Sequence, residues 1–121
     1  GHSVEHVSSV TLPGKDGVAK MKQIMAGLRA NAPKSLAGLS VLAVRDYKTG
    51  LRTDADGETA QMGLPVSDVL YYELEGRNWV CVRPSGTEPK IKLYVNTRAA
   101  STGAALDLNA ALEKAAQAQL K

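Results

Sequence analysis

Phenylalanine is missing from this 121-residue chain, tryptophan occurs once and tyrosine four times. The core must therefore be built from Val, Leu, Ile, Met and Ala, and an aromatic platform on which nucleic-acid bases stack is disfavoured. A single cysteine, Cys81, cannot form an intramolecular disulfide, and two histidines are too few for a Cys/His zinc cluster. A reducing compartment suits such a chain. No apolar run approaches the ~18 residues of a membrane span, and no basic stretch followed by an apolar core opens the sequence as in a signal peptide. Cytoplasmic residence without membrane contact is the expectation.

What is present is the composition of a folded domain, with 44% hydrophobic and 22% charged residues. The length suits one domain. Gly1, His2 and Ser3 resemble the remnant of a cleaved tag, which leaves residues 4–121 as the domain.

Residues 4–12 alternate poorly before Pro13-Gly14 and are expected to be an extended opening segment. From Asp16, the residues Val18, Met21, Ile24, Met25 and Leu28 fall on one helical stripe, and the helix should end by Asn31, ahead of Pro33. Ser40–Arg45 is a short β-branched run typical of a strand. Residues 46–67 carry several Gly and Pro with little periodicity and are expected to form a long loop. Strands follow at Asp68–Glu75, Asn78–Arg83 and Lys90–Thr97, the first two forming an antiparallel hairpin across Gly76-Arg77. An Ala-rich helix from Thr102 to Leu120, capped by Ser101 or Thr102, presents Leu108, Ala111, Leu112 and Ala115 on one face. Helix, four strands, helix is an α+β order: a four-stranded antiparallel sheet with two helices on one face.

The most informative stretch is Arg83-Pro84-Ser85-Gly86-Thr87-Glu88-Pro89-Lys90-Ile91-Lys92. The two prolines stiffen a loop between strand ends. Ser85 and Thr87 offer hydroxyls, Gly86 lets a ligand approach the backbone, and Arg83 supplies a planar fork of donors. These are phosphate-binding groups. Lys90 and Lys92 lie two apart on the following strand, hence on one face, so one of them can reach the same anion. Between Arg77 and Arg98 stand five basic residues and one acidic one, whereas the rest of the chain has ten and eleven. The formal charge of +3 is thus expected to sit around this loop. Ordinary turn formers flanked by cations would look the same without binding anything.

RPSGTEPKIKLY is similar to the phosphate-binding loop in the fourth, C-terminal domain of the α-D-phosphohexomutases, the phosphoglucomutase and phosphomannomutase superfamily. The similarity covers about residues 4 to 100 and includes GKDGVAKMKQIMAGLRANAP, GLSVLAVRDYKTG and LPVSDVLYYELEGRNWVCV. By this resemblance Arg83, Ser85, Gly86 and Thr87 bind the phosphate of the hexose that is not being transferred, and Lys92 adds a cation where several relatives carry Arg. The implied fold is TATA-binding-protein-like. The family interconverts hexose 1- and 6-phosphates through a phosphoserine, Mg2+ and a bisphosphorylated sugar. Those parts belong to its first three domains, so the resemblance implies an excised C-terminal domain with no catalytic or metal residue of its own, inactive in isolation. Its partners would be a glucose or mannose phosphate and the other three domains of the same enzyme, and neither nucleic acid nor membrane.

Competing signals are weaker. Asp54-Ala55-Asp56-Gly57-Glu58 opens like a calcium loop, but counting from Asp54 the twelfth position, which needs a bidentate Glu, is Pro65. A solvated turn is the simpler reading. His6 has no nucleophile nearby, Cys81 reads as core, and of Tyr71 and Tyr72 one ring should be buried and the other on the surface. The rival functional class is a freestanding anion or RNA-binding module using residues 77–98, whose binding would be strongly salt-dependent.

Overall fold

In the computed structural model, which describes residues 1–121, the strands are β1 (His2–Thr11), β2 (Ser35–Leu36), β3 (Leu39–Asp46), β4 (Leu51–Asp54), β5 (Thr59–Gln61), β6 (Leu70–Leu74), β7 (Trp79–Pro84) and β8 (Lys90–Ala99), and the helices are α1 (Gly17–Ala30) and α2 (Thr102–Ala118). All pairings are antiparallel, in the order β1-β8-β7-β6-β3-β4-β5, with β2 attached to β3. The α+β class stands. The expectation of four strands is corrected to eight: the four expected strands form the centre, and four more extend it on both sides.

The additions have local causes. Residues 4–12 are no loose lead-in, because His2–Thr11 pair along all of β8, from His2 opposite Ala99 to Thr11 opposite Lys90. Their weak alternation reflects an edge strand, where little is buried on either face. The long loop expected at 46–67 contains the β4–β5 hairpin. Its turn is held by Asp54 Oδ1, which accepts from the Asp56 and Glu58 amides at 2.9 and 3.0 Å, with Gly57 at φ 85°. The acidic cluster is thus a structural turn, its first carboxylate already used by the backbone. The expected hairpin across Gly76-Arg77 forms, with both residues at positive φ, and Asn78 ties it down: its Nδ2 donates to the Glu75 carbonyl at 2.9 Å and its Oδ1 accepts from the Arg98 amide at 2.8 Å.

Alternation along the central strands sorts the residues cleanly. Leu70, Tyr72, Leu74, Val80, Val82, Ile91, Leu93 and Val95 are buried and join Met21, Met25 and Leu28 of α1 and Leu112 and Ala116 of α2 in one core. Both helices therefore cover the same face. Val18, expected on the buried stripe, is 48% exposed, and in the first turn of α1 it is Gly17 that is buried. On α2 the buried stripe is Ala105, Asn109, Leu112 and Ala116, shifted from the expected one because the helix buries a polar residue. Asn109 Nδ2 points to the Val4 and Val95 carbonyls and Thr97 Oγ1 at 3.1, 3.1 and 3.2 Å, stitching α2 to β1 and β8. The cap falls on Ser101, whose Oγ accepts from the Ala104 amide at 3.1 Å. Neither helix is long and apolar enough to cross a membrane.

Candidate functional site

The loop that carries the candidate phosphate ligands joins β7 to β8. Strand alternation puts Arg83 on the sheet face opposite the helices, because Val82 and Pro84's partner Ile91 are core. Lys92 stands directly across from Arg83 in the ladder, and Ser9 of β1 is next in the row. Like charges at a directly opposed position repel. None of the six ion pairs of the chain involves either of them. Lys90, on the same face, is engaged differently, with its Nζ 3.8 Å from Glu88 Oε1. Of the two lysines, Lys92 is the one without a carboxylate.

The loop is held from both ends. The Ser85 amide donates to the Lys90 carbonyl at 2.9 Å, and the Lys90 amide donates to the Glu88 carbonyl at 2.8 Å. Ser85 Oγ accepts from the Thr87 and Glu88 amides at 3.4 and 3.2 Å, which leaves the hydroxyl proton for an outside acceptor. A Cβ at Gly86 would meet nothing within 4 Å, so a ligand oxygen can approach this stretch of backbone from solvent. Gly86, Thr87 and Arg83 are exposed, while Ser85 and Lys92 are half-buried.

A second anchor lies on a segment that sequence reasoning did not connect to the loop. The Leu12 amide donates to the Pro89 carbonyl at 2.8 Å, and the first residue of α1 packs on the same spot: a Cβ on Gly17 would run into the Leu12 carbonyl and come within 2.8 Å of Pro89 Cβ. Gly17 is therefore a close-approach glycine that seats the N-terminus of α1 against the loop. A glycine directly after Asp16, at the start of the helical pattern, was the available signal.

The charge concentration expected around the loop is corrected. Arg77 and Arg98 lie at the far end of the sheet, since the Arg98 amide is bound by Asn78 beside the β6–β7 turn. From Lys92 to Arg98 is roughly 20 Å along an extended strand. At the loop itself remain Arg83, Lys90 and Lys92, with Glu88 offsetting one of them.

Elsewhere on the open face, Glu73 takes bonds from Arg45 Nε at 2.9 Å and from Arg52 Nε at 2.7 Å, and these guanidinium bonds hold its carboxyl down at about 2. Arg45 lies over the Tyr71 ring at 4.6 Å, and Tyr71 stacks on Trp79 at 5.0 Å. Tyr71 is thus the surface ring and Tyr72 the buried one, as expected from their alternation. Cys81, expected in the core, sits half-exposed on this open face opposite Tyr71 and Tyr94, because it is Val80 and Val82 that face the helices. Burial still pushes its thiol up to about 11, so it is a poor nucleophile. A cleft of about 550 Å³ lies between the C-terminal turn of α1 and β3–β4, away from the loop, with the Arg29–Asp46 pair at 3.2 Å in its wall. The loop's own ligands stand on an open surface.

Residues 10–115 match the family model for the phosphoglucomutase/phosphomannomutase C-terminal domain. This chain belongs to that family. It is 41% identical over 98 residues to a phosphoglucomutase of Staphylococcus epidermidis, and 39% identical over 99 residues to one of Staphylococcus aureus, covering 79% and 81% of this chain. The match continues past residue 100 into α2, beyond the similarity visible in the motifs. The chain spans 18% of the length of either relative.

Proposed function

We propose that this chain is the phosphate-holding C-terminal domain of a phosphoglucomutase or phosphomannomutase, gripping the phosphate of the hexose that is not being transferred. The observation that carries this reading is the pair Arg83 and Lys92, directly opposed across β7 and β8 with no carboxylate on either, beside the anchored Ser85–Thr87 loop. A dianion between the two cations turns a repulsive pair into an attractive cluster. Charge-assisted bonds to phosphate are worth roughly 1.5–3 kcal/mol each, so Arg83, Lys92, the Ser85 hydroxyl and the Gly86 and Thr87 stretch together suffice to hold one phosphate through the reaction.

Such a grip positions the sugar and does no bond-making. In the intermediate the two phosphates exchange places, so a site built on phosphate donors alone accepts either end of the molecule. The phosphoserine and Mg2+ that the family uses would come from outside these residues. Asp54, Asp56 and Glu58 do not converge as a set of metal ligands, and one oxygen of Asp54 takes two backbone amides. Because the loop is exposed, its phosphate is shielded from water only when another part of the enzyme closes over it.

The test is a titration of the isotopically labelled chain with inorganic phosphate and with glucose 1-phosphate, followed by amide shifts. Changes confined to Arg83, Ser85, Gly86, Thr87 and Lys92 are the expected result. Shifts spread equally to Arg77 and Arg98 at the far end would overturn the reading in favour of a general polyanion-binding module.

A further inference from the structure

Glu88 is the only carboxylate between Arg83 and Lys90, and the loop is shaped by its backbone alone. Its amide donates to Ser85 Oγ at 3.2 Å and its carbonyl accepts from the Lys90 amide at 2.8 Å, while Pro89 behind it favours an extended conformation. The carboxylate has one charged neighbour, the Lys90 ammonium at 3.8 Å, too far for a hydrogen bond. An acidic side chain with no part in holding the loop thus stands within a set of anion-binding groups.

Lys90 is placed to serve that set. Two residues before Lys92 on β8, it shares the face of Arg83 and Lys92, and its carbonyl takes the Ser85 amide at 2.9 Å, beside the hydroxyl left for an anion. Its side chain is 27% exposed against 63% for that of Glu88, so the ammonium is confined at the loop and the carboxylate is the partner free to leave. A phosphate entering between Arg83 and Lys92 meets a third cation already occupied by an internal anion.

We propose that Glu88 sets the strength of the phosphate grip by competing with phosphate for Lys90. The inference rests on the proposed function for the identity of the ligand. A pocket that must hold one phosphate, release it and take the other gains nothing from tighter binding of both, because uniform binding lowers KM without raising kcat. A loose, exposed pair is weak enough for phosphate to break, yet it offsets one of three cations while the loop is empty. Glu88 is therefore a positioning residue that acts through Lys90.

Titration of the chain with inorganic phosphate at low ionic strength, read from the Gly86 amide shift, compares the parent with Glu88→Gln, Lys90→Met, the double variant, Glu58→Gln and Arg83→Ala. Glu58→Gln makes the same change of net charge at the turn between β4 and β5, on the far edge of the sheet. Glu88→Gln is expected to tighten phosphate about two- to fivefold, the scale of one exposed charge pair, and to lose that gain beside Lys90→Met. Glu58→Gln leaves the affinity as in the parent. Unchanged or weaker binding by Glu88→Gln, an equal gain from Glu58→Gln, or a gain that persists in full beside Lys90→Met each overturns the competition. Arg83→Ala reports on the site itself: parental affinity there removes the phosphate reading, whereas a loss there with no gain at Glu88→Gln removes only the role of Glu88. In the intact enzyme Glu88→Gln lowers KM for glucose 1-phosphate with kcat unchanged or lower, and a raised KM would mean that the carboxylate supports the loop, which also overturns the inference.

Discussion

Replacing Gly17 by alanine tests how the loop between β7 and β8 is seated. Alanine is the better helix former by up to about 1 kcal/mol, so propensity alone favours the change. Here the added methyl has no room: it would overlap the Leu12 carbonyl and stand 2.8 Å from Pro89 Cβ, against the ~3.5–4.0 Å of an ordinary carbon contact. Both neighbours are rigid, one a main-chain carbonyl and the other a proline ring. Relief requires α1 to move away, and overpacking of this kind costs about 1–3 kcal/mol. The same shift strains the 2.8 Å bond from the Leu12 amide to the Pro89 carbonyl, worth about 1 kcal/mol net. The balance is a loss of about 1–3 kcal/mol, or a fall of roughly 4–12 °C in the midpoint for a domain of this size. Thermal unfolding by circular dichroism measures it. Gly27→Ala is the matched control, because at Gly27 within α1 a Cβ meets nothing within 4 Å, and there stability should rise by up to about 1 kcal/mol. Opposite signs at two glycines of one helix are the signature. A Gly17→Ala chain as stable as the parent would refute the close approach, and with it the claim that α1 helps hold Pro89.

Two further outcomes follow from the sheet. Glu73 has its carboxyl lowered to about 2 by Arg52 and Arg45, so the folded state binds its proton less readily than the unfolded chain does; the stabilisation is complete above about pH 4.5 and disappears as pH falls through about 2. Urea unfolding of wild type and Glu73→Gln should therefore differ by a constant amount from pH 7 down to pH 5 and converge toward pH 2, and a gap that widens in acid would contradict the Arg–Glu–Arg arrangement. Tyr72 is 2% exposed and its hydroxyl has no hydrogen-bond partner, while burial pushes its ionisation up. Tyr72→Phe removes an unpaired polar atom at no cost in packing and should leave stability unchanged or raise it by about 1 kcal/mol, whereas a loss above 1 kcal/mol would mean that the hydroxyl has a partner.

The central fold was legible because its signals are strong. Ile91, Leu93 and Val95 alternate with Lys92, Tyr94 and Asn96 and so identify both the strand and its buried face, whereas in β7 the apolar Trp79 and Cys81 between Val80 and Val82 mark a strand but hide which face meets the helices. The parts that were not legible have weak periods for physical reasons. β1 is an edge with few buried residues, and β4 and β5 are four- and three-residue strands held by an Asp54 turn and by the pairing of Arg52 with Glu73 rather than by an apolar face. Asn109 ran against composition altogether: a polar residue at the centre of a helix stripe becomes core only because two strand carbonyls and the Thr97 hydroxyl meet it there.

The place of the candidate loop between two strands was legible in the sequence, and the extent of the basic surroundings was misjudged. Sequence proximity brought Arg77 and Arg98 into one basic stretch with Arg83, yet a hairpin separates positions that are near in sequence and joins positions that are far. Six residues of extended strand carry Arg98 about 20 Å from Lys92, while Leu12 and Gly17, some seventy residues upstream, arrive at Pro89. Counting charge along the chain therefore overstated the positive field at the loop and overlooked the scaffold that shapes it. What remains is smaller and better defined. Two opposed cations, one hydroxyl whose oxygen is fixed by two amides, and an unobstructed glycine are the donors on which the proposed grip of a single phosphate rests, and all of them belong to one short connection between two neighbouring strands.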